Sequence, residues 1–161
     1  MRRILVGLAL AIALNQPACG ADNSTSSGPT PTPPTEASSK RTDNMKIRLK
    51  VEDKVVTATL IDSTTSRDFI SLLPLALTLK DYAGTEKISD LPRKLSTKGA
   101  PPGSDPSIGD IAYYAPWGNL AVFYRDFGYS NGLIKLGTID SGVEALARPG
   151  PLSVTIELVE K

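Results

Sequence analysis

The side chains best suited to binding a ligand are concentrated in residues 110–125, which read DIAYYAPWGNLAVFYR. This segment holds the only tryptophan of the chain, Trp117, in a turn between two predicted strands. Aromatic rings with polar tips are common on ligand-binding surfaces, because they bury a large apolar area and still form hydrogen bonds. We therefore predict an aromatic binding groove. The candidate residues are Tyr114, Trp117, Asn119, Phe123, Tyr124 and Arg125. The alternative, favoured for Tyr113 and Phe123, is that the rings fill the core.

The side chains that most enzymes use are scarce. The chain has no histidine and a single cysteine, which excludes a Ser-His-Asp triad, a Cys-His pair and an imidazole metal site. No glycine-rich phosphate loop precedes a helix. Carboxylate catalysis stays open in principle, although no pair of acidic residues stands out. We predict no catalytic residue, no metal site and no cofactor.

The N-terminus has the pattern of a secretory signal peptide, predicted over residues 1–19. Arg2 and Arg3 precede an apolar run at residues 4–14, and small residues follow at Ala18, Gly20 and Ala21. The run is too short for a membrane-spanning helix, which needs about 20 apolar residues. The alternative is a buried helix at the start of the fold.

The single cysteine lies where such a signal peptide would be cleaved. The sequence Pro17-Ala18-Cys19-Gly20 resembles a bacterial lipobox, although Gln16 stands where that motif usually has leucine. The resemblance implies that Cys19 becomes the lipidated first residue, which would anchor the protein to a membrane. We expect a membrane-anchored lipoprotein of the periplasm or cell surface. The alternative is cleavage after Ala21, which would release the protein.

Residues 20–44 are rich in serine, threonine and proline and contain no large apolar or aromatic side chain. Such a segment cannot bury a core, so it is predicted to be a disordered tether. A domain is predicted over residues 45–161, where basic and acidic side chains balance. A neutral domain is a poor candidate for binding nucleic acid, and we expect contact with a membrane only through the lipid.

The domain shows repeated strand patterns. Apolar residues alternate with polar ones at 45–51, 75–80 and 152–158, and residues 55–61, 111–114, 120–124 and 133–139 are rich in β-branched or aromatic types. Two short helices are predicted, at 67–73 with Thr65 or Ser66 as cap and at 141–147, and a long loop is predicted at 85–110. The fold class is therefore mainly β, as a closed or nearly closed barrel with two short helices. The alternative is a β-sandwich.

The segment GDIAYYAPWGNLAVFY, with MKIRLKV at the start and VTIELV at the end, resembles the cyclophilin-like family of small bacterial proteins. The resemblance covers residues 45–160. Its most specific parts are Gly109-Asp110-Ile111, Pro116-Trp117-Gly118-Asn119 and Phe123-Tyr124. It implies an eight-stranded barrel closed by two helices, related in fold to the cyclophilins, which are prolyl isomerases. The Phe-His-Arg motif of the cyclophilins is missing, since the chain has no histidine.

Three hypotheses for function follow. The first is a non-enzymatic module that binds a peptide or small molecule at the aromatic groove. The second is a weak prolyl cis-trans isomerase, in which Phe123 or Tyr124 lies in the groove and Arg125 is the residue to test. The third is a structural role without a ligand, which requires a filled barrel without an open groove.

Overall fold

The computed structural model describes residues 45–159, which form one α-helix, one short 3₁₀ helix and β-strands. The elements in chain order are β1 (Lys46–Val51), β2 (Lys54–Leu60), α1 (Thr64–Ile70), β3 (Leu75–Tyr82), β4 (Glu86–Asp90), β5 (Gly103–Ser104), β6 (Asp110–Tyr114), β7 (Asn119–Phe123), β8 (Ser130–Asn131), β9 (Leu133–Ser141), the 3₁₀ helix (Val143–Ala145) and β10 (Leu152–Leu158). The predicted signal peptide, Cys19 and the tether lie outside the described residues.

Eight strands close into a barrel in the order β1-β10-β3-β4-β7-β6-β9-β2, and β2 pairs again with β1. Every pair is antiparallel. The closed ring confirms the predicted barrel and excludes the sandwich. Closure leaves no unpaired strand edge in this sheet. The short strands β5 and β8 pair separately.

The barrel interior is the hydrophobic core. In β1, Ile47, Leu49 and Val51 are buried and alternate with more exposed polar residues, as the period of two predicts. The hairpin of β1 and β2 forms as expected, with Val51 opposite Lys54. Apolar residues from the long strands other than β4 meet inside the ring, and Phe69 of α1 packs against them.

Both predicted helices differ from the structure. Helix α1 spans Thr64–Ile70 rather than 67–73, because the Ser63 hydroxyl caps it and accepts a hydrogen bond from the Ser66 amide at 3.0 Å. The second predicted helix, at 141–147, is wrong in type and length. Ser141 still belongs to β9, and Gly142 takes a φ of 88°, so only the 3₁₀ turn Val143–Ala145 remains.

The predicted loop at 85–110 is also wrong in part, since it contains the whole of β4 and the two-residue strand β5. The part of this segment that follows β4 is held to α1 by Asp68. That carboxylate pairs with Arg93 at 2.6 and 3.1 Å and accepts a hydrogen bond from the Ser96 amide at 2.7 Å. These bonds lower the pKa of Asp68 to about 2, and the bond from Arg93 has the largest effect.

Within residues 45–159, neither helix has the length and apolar character needed to cross a bilayer.

Candidate functional site

The outer surface of the barrel carries a second, smaller apolar cluster on β4, β6, β7 and β9. Strand pairing sets the residues in rows across this face. Phe123 lies opposite Glu86, Ala121 opposite Ile88, and Asn119 opposite Tyr114. Side chains two residues apart on a strand point the same way, so these groups all face outward. The face is therefore apolar with a polar group at each end.

Strands β6 and β7 are unusual because both of their faces are buried. The pattern along β7 is buried at every position, whereas β1 alternates between buried and exposed. Leu120 and Val122 belong to the barrel core, while Ala121 and Phe123 form the outer cluster with Leu133. A strand that is apolar on both sides must be covered on both sides. On the outer side, the residues that cover β6 and β7 also form the candidate site.

Trp117 lies in the turn between β6 and β7, next to this outer face. Its ring meets Tyr114 edge-on, with centroids 5.2 Å apart and planes at 87°. It meets Tyr82, at the end of β3, in the same way at 5.5 Å and 86°. Edge-to-face pairs of this kind are favoured by the aromatic quadrupole. The Trp117 ring thus contacts both Tyr82 and Tyr114. It is 56% exposed, so it also remains accessible to solvent.

A cavity of about 190 Å³ lies among these groups. Its walls come from β4, β6, β7 and β9, from the turn after β3 and from the segment after β7. The lining residues are Tyr82, Ala83, Glu86, Ile88, Tyr114, Trp117, Asn119, Ala121, Phe123, Phe127, Ser130 and Leu133. A mainly apolar cavity with few polar groups is the usual form of a small-ligand site.

Two polar side chains in the cavity, Asn119 and Glu86, lie in environments that are unfavourable for polar groups. Asn119 is 2% exposed, and its Oδ1 atom has no hydrogen-bond partner within the described residues. The Glu86 carboxyl is half-buried against the apolar wall, and this desolvation raises its pKa to about 7. A buried acceptor without a partner destabilises a fold, so Asn119 is a candidate for contact with a ligand.

The position of Glu86 leads to a prediction about stability and pH. Because its pKa is higher in the folded state than in the unfolded chain, the folded state holds an extra proton between pH 4.5 and about 7. Protonation of Glu86 therefore favours the folded state. This contribution to the free energy of unfolding is fully present below pH 4.5 and is lost as the pH rises through about 7. We expect Glu86→Gln to raise the free energy of unfolding by about 1–2 kcal/mol at pH 8, since the group is partly solvated.

At pH 4 the same substitution should change the free energy of unfolding by less than about 0.5 kcal/mol. Urea denaturation at both values measures the difference, with Asp90→Asn on the same strand as the exposed control. An equal effect of Glu86→Gln at the two pH values would contradict the assignment of the raised pKa.

The structure brings together some of the residues predicted from sequence and separates others. Tyr114, Trp117, Asn119 and Phe123 line the cavity. Tyr124 does not, because its hydroxyl donates to Asp81 Oδ1 at 3.2 Å; desolvation, followed by this bond, raises its pKa.

Arg125 also lies outside the cavity lining. Its side chain is exposed, and its backbone amide donates to the Thr85 carbonyl at 3.1 Å. The predicted segment therefore supplies the β6-turn-β7 side of the site and no cation.

Sequence reasoning missed the other side of the site, where Tyr82, Glu86 and Phe127 lie. The available signal was the pair Ala83-Gly84, which forms the β3–β4 turn with φ values of 50° and 69°. Glycine is common in such turns, but alanine at positive φ is rare, so the pair is a weak indicator. Within residues 45–159, no three His, Cys, Asp or Glu side chains are grouped to hold a metal ion.

Comparisons with known proteins agree with this architecture. A hypothetical protein from Archaeoglobus fulgidus, known from a solution structure, superposes with a TM-score of 0.54. It is 18% identical, and the match covers 75% of this chain and 99% of the other. Identity this low shows a shared fold only. Curated protein sequences give no significant match. The model of the Cyclophilin-like family matches residues 49–157, which is most of the chain, and the protein therefore belongs to the cyclophilin-like family.

Proposed function

We propose that this domain is a binding module that holds a small molecule, or one side chain of a peptide, in the cavity on its outer face. The observation that supports the proposal most strongly is the Asn119 side chain, which lines an apolar cavity and whose buried Oδ1 atom has no hydrogen-bond partner within residues 45–159. A ligand that donates a hydrogen bond there would satisfy the acceptor, and the aromatic walls would supply apolar contact.

The experiment is a fragment screen followed by Trp117 fluorescence and by amide chemical shifts. Trp117 is the only tryptophan of the chain, so its emission reports this site alone. Ala121 is on the cavity wall, and Ala121→Leu should fill part of the space. We expect this variant to weaken binding of any hit by about tenfold or more.

The matched control is Ala76→Leu, which makes the same change on the exposed face of β3. It should bind hits as the wild type does. Fragments that bind equally well to Ala121→Leu, or a screen in which no compound alters the Trp117 region, would overturn the proposed function.

The prolyl isomerase hypothesis gains no support from Arg125, which is exposed and does not line the cavity. Within the described part of the chain, the cavity lining contains no arginine or lysine, so it lacks the cationic group that the cyclophilin resemblance implies. We therefore give preference to the binding role.

We also propose that the domain acts outside the cytoplasm, held to a membrane by a lipid on Cys19. The support is the signal-like residues 1–19 and the proline-rich residues 20–44 that follow. Cys19→Ala should move the protein from the membrane fraction to the soluble fraction and abolish labelling with a radioactive fatty acid. Unchanged fractionation and labelling would remove the anchoring proposal.

A further inference from the structure

We propose that the cavity binds a protonated primary amine carried on a short apolar body. This inference rests on the proposed function and specifies the class of ligand. It follows from three features of the cavity wall, namely the aromatic rings around Trp117, an uncompensated carboxyl group and a buried acceptor.

The first feature is the arrangement of rings. Trp117 lies perpendicular to both Tyr82 and Tyr114, and Phe123 and Phe127 complete the aromatic lining. A cation within about 6 Å of a ring centroid is attracted to the negative face of the ring, most strongly for tryptophan. Perpendicular rings offer faces in more than one direction, so a compact cation in the cavity can contact several of them.

The second feature is the charge of the site. Within the described residues, Glu86 has no ion-pair partner, and burial alone accounts for its altered pKa. On β3, Asp81 is paired with Lys87, which is fully buried on the other face of β4. After β7, Tyr124 bonds to Asp81, and Arg125 lies outside the lining. A carboxylate without a protein cation is complementary to a cationic ligand.

The third feature separates a primary amine from a quaternary one. Asn119 Oδ1 is buried and accepts no hydrogen bond within residues 45–159. Asn119 and Glu86 lie at opposite ends of the face, so an ammonium group with N–H bonds donates to one of these acceptors at a time, whereas a quaternary ammonium cannot donate to either. The acceptor therefore favours an amine that keeps its hydrogens.

The size of the cavity limits the rest of the ligand. Its volume of about 190 Å³ is below the range of about 300–1,000 Å³ that is common for drug-sized ligands. A short alkyl chain fits this space. A free alkylamine and the side chain of a lysine in a peptide offer the same chemistry, and the experiment distinguishes the two sources.

The test is a set of Trp117 fluorescence titrations on the purified full-length protein at pH 8. The probes are butylamine, its neutral analogue 1-butanol, and tetramethylammonium. We expect butylamine to bind about tenfold or more tightly than 1-butanol, with tetramethylammonium weaker than butylamine. The advantage of the amine should vanish in Glu86→Gln and at pH 5.5, where Glu86 is protonated but the amine keeps its charge.

The control variant Asp90→Asn also removes one acidic charge from β4 but lies outside the cavity lining, so it should keep the preference for butylamine. A blocked Gly-Lys-Gly peptide and its norleucine counterpart identify the source. If the lysine peptide binds more strongly than butylamine, a peptide is the ligand. If the lysine peptide does not bind while butylamine does, the ligand is a free amine.

Equal affinities for butylamine and 1-butanol, unchanged in Glu86→Gln, would overturn the amine proposal and leave the proposed binding function intact. If neither these probes nor the fragment screen alters Trp117 emission, the binding function itself fails, and the amine proposal fails with it.

Discussion

Replacing Gly137 with alanine is expected to lower the free energy of unfolding by about 3 kcal/mol or more. Gly137 lies in β9 between β2 and β6, opposite Leu60 on one side and Ile111 on the other. A Cβ atom at this position would lie only 2.7 Å from the Leu60 Cα atom and closer still to the Thr59 carbonyl oxygen. Both are backbone atoms of a paired strand, so neither can move aside without breaking the ladder.

Chemical denaturation of Gly137→Ala and Gly128→Ala measures this effect with a matched control. Gly128 has open space where a Cβ atom would be placed, so its substitution should change stability by no more than about 1 kcal/mol. Similar denaturation midpoints for the two variants would show that β9 can adjust, which would contradict the close approach of β2 and β9.

The second large effect is expected at Lys87, whose side chain is fully buried. Its Nζ atom donates to the carbonyl oxygens of Arg148 and Gly150 at 2.6 and 2.7 Å and pairs with Asp81 at 2.6 Å. The ammonium group has three N–H bonds and here has three acceptors. The network thus ties β3 and β4 to the segment that enters β10.

We expect Lys87→Met to lower the free energy of unfolding by about 2–4 kcal/mol at pH 7. Methionine keeps most of the buried volume, so the loss reflects two carbonyl groups without a donor and a carboxylate without its partner. Lys80→Met is the control, because Lys80 is exposed on the neighbouring strand. It should change stability by less than about 0.5 kcal/mol.

The pH dependence provides a second measurement. The hydrogen bond from Lys87, the largest cause, lowers the pKa of Asp81. The stability from this pair is therefore present above the ordinary pKa of an aspartate and is lost as the pH falls below it. The difference in the free energy of unfolding between wild type and Lys87→Met should become smaller in acid. In the variant, carboxyl NMR titrations should show the Asp81 pKa returning toward its ordinary value. An unchanged Asp81 titration would contradict the pairing.

The sequence predicted the parts of the fold in which apolar residues face inward. The β1–β2 hairpin and β10 alternate regularly, so their strands and the closed barrel followed from periodicity. Strand β4 was missed because it inverts the pattern: Lys87 is buried in the network, whereas its apolar neighbour Ile88 faces the outer cavity. A polar residue inside and an apolar one outside look like a loop when the partners of Lys87 are unknown.

The candidate site was half predictable for a related reason. Tyr114, Trp117, Asn119 and Phe123 are close in sequence, so composition alone identified them. Glu86 joins them only through the pairing of β4 with β7, a contact between distant parts of the chain. Nothing local marks its half-buried carboxyl as part of the same site.

The double burial of β7 divides its residues into two independent sets. Leu120 and Val122 hold the barrel together, whereas Ala121 and Phe123 are on the cavity wall. Under the proposed binding function, exchanging every second residue along this strand would alter which ligand the cavity accepts while the barrel core stays constant. New preferences could then arise in such a barrel by small steps, without first disrupting the architecture that supports them.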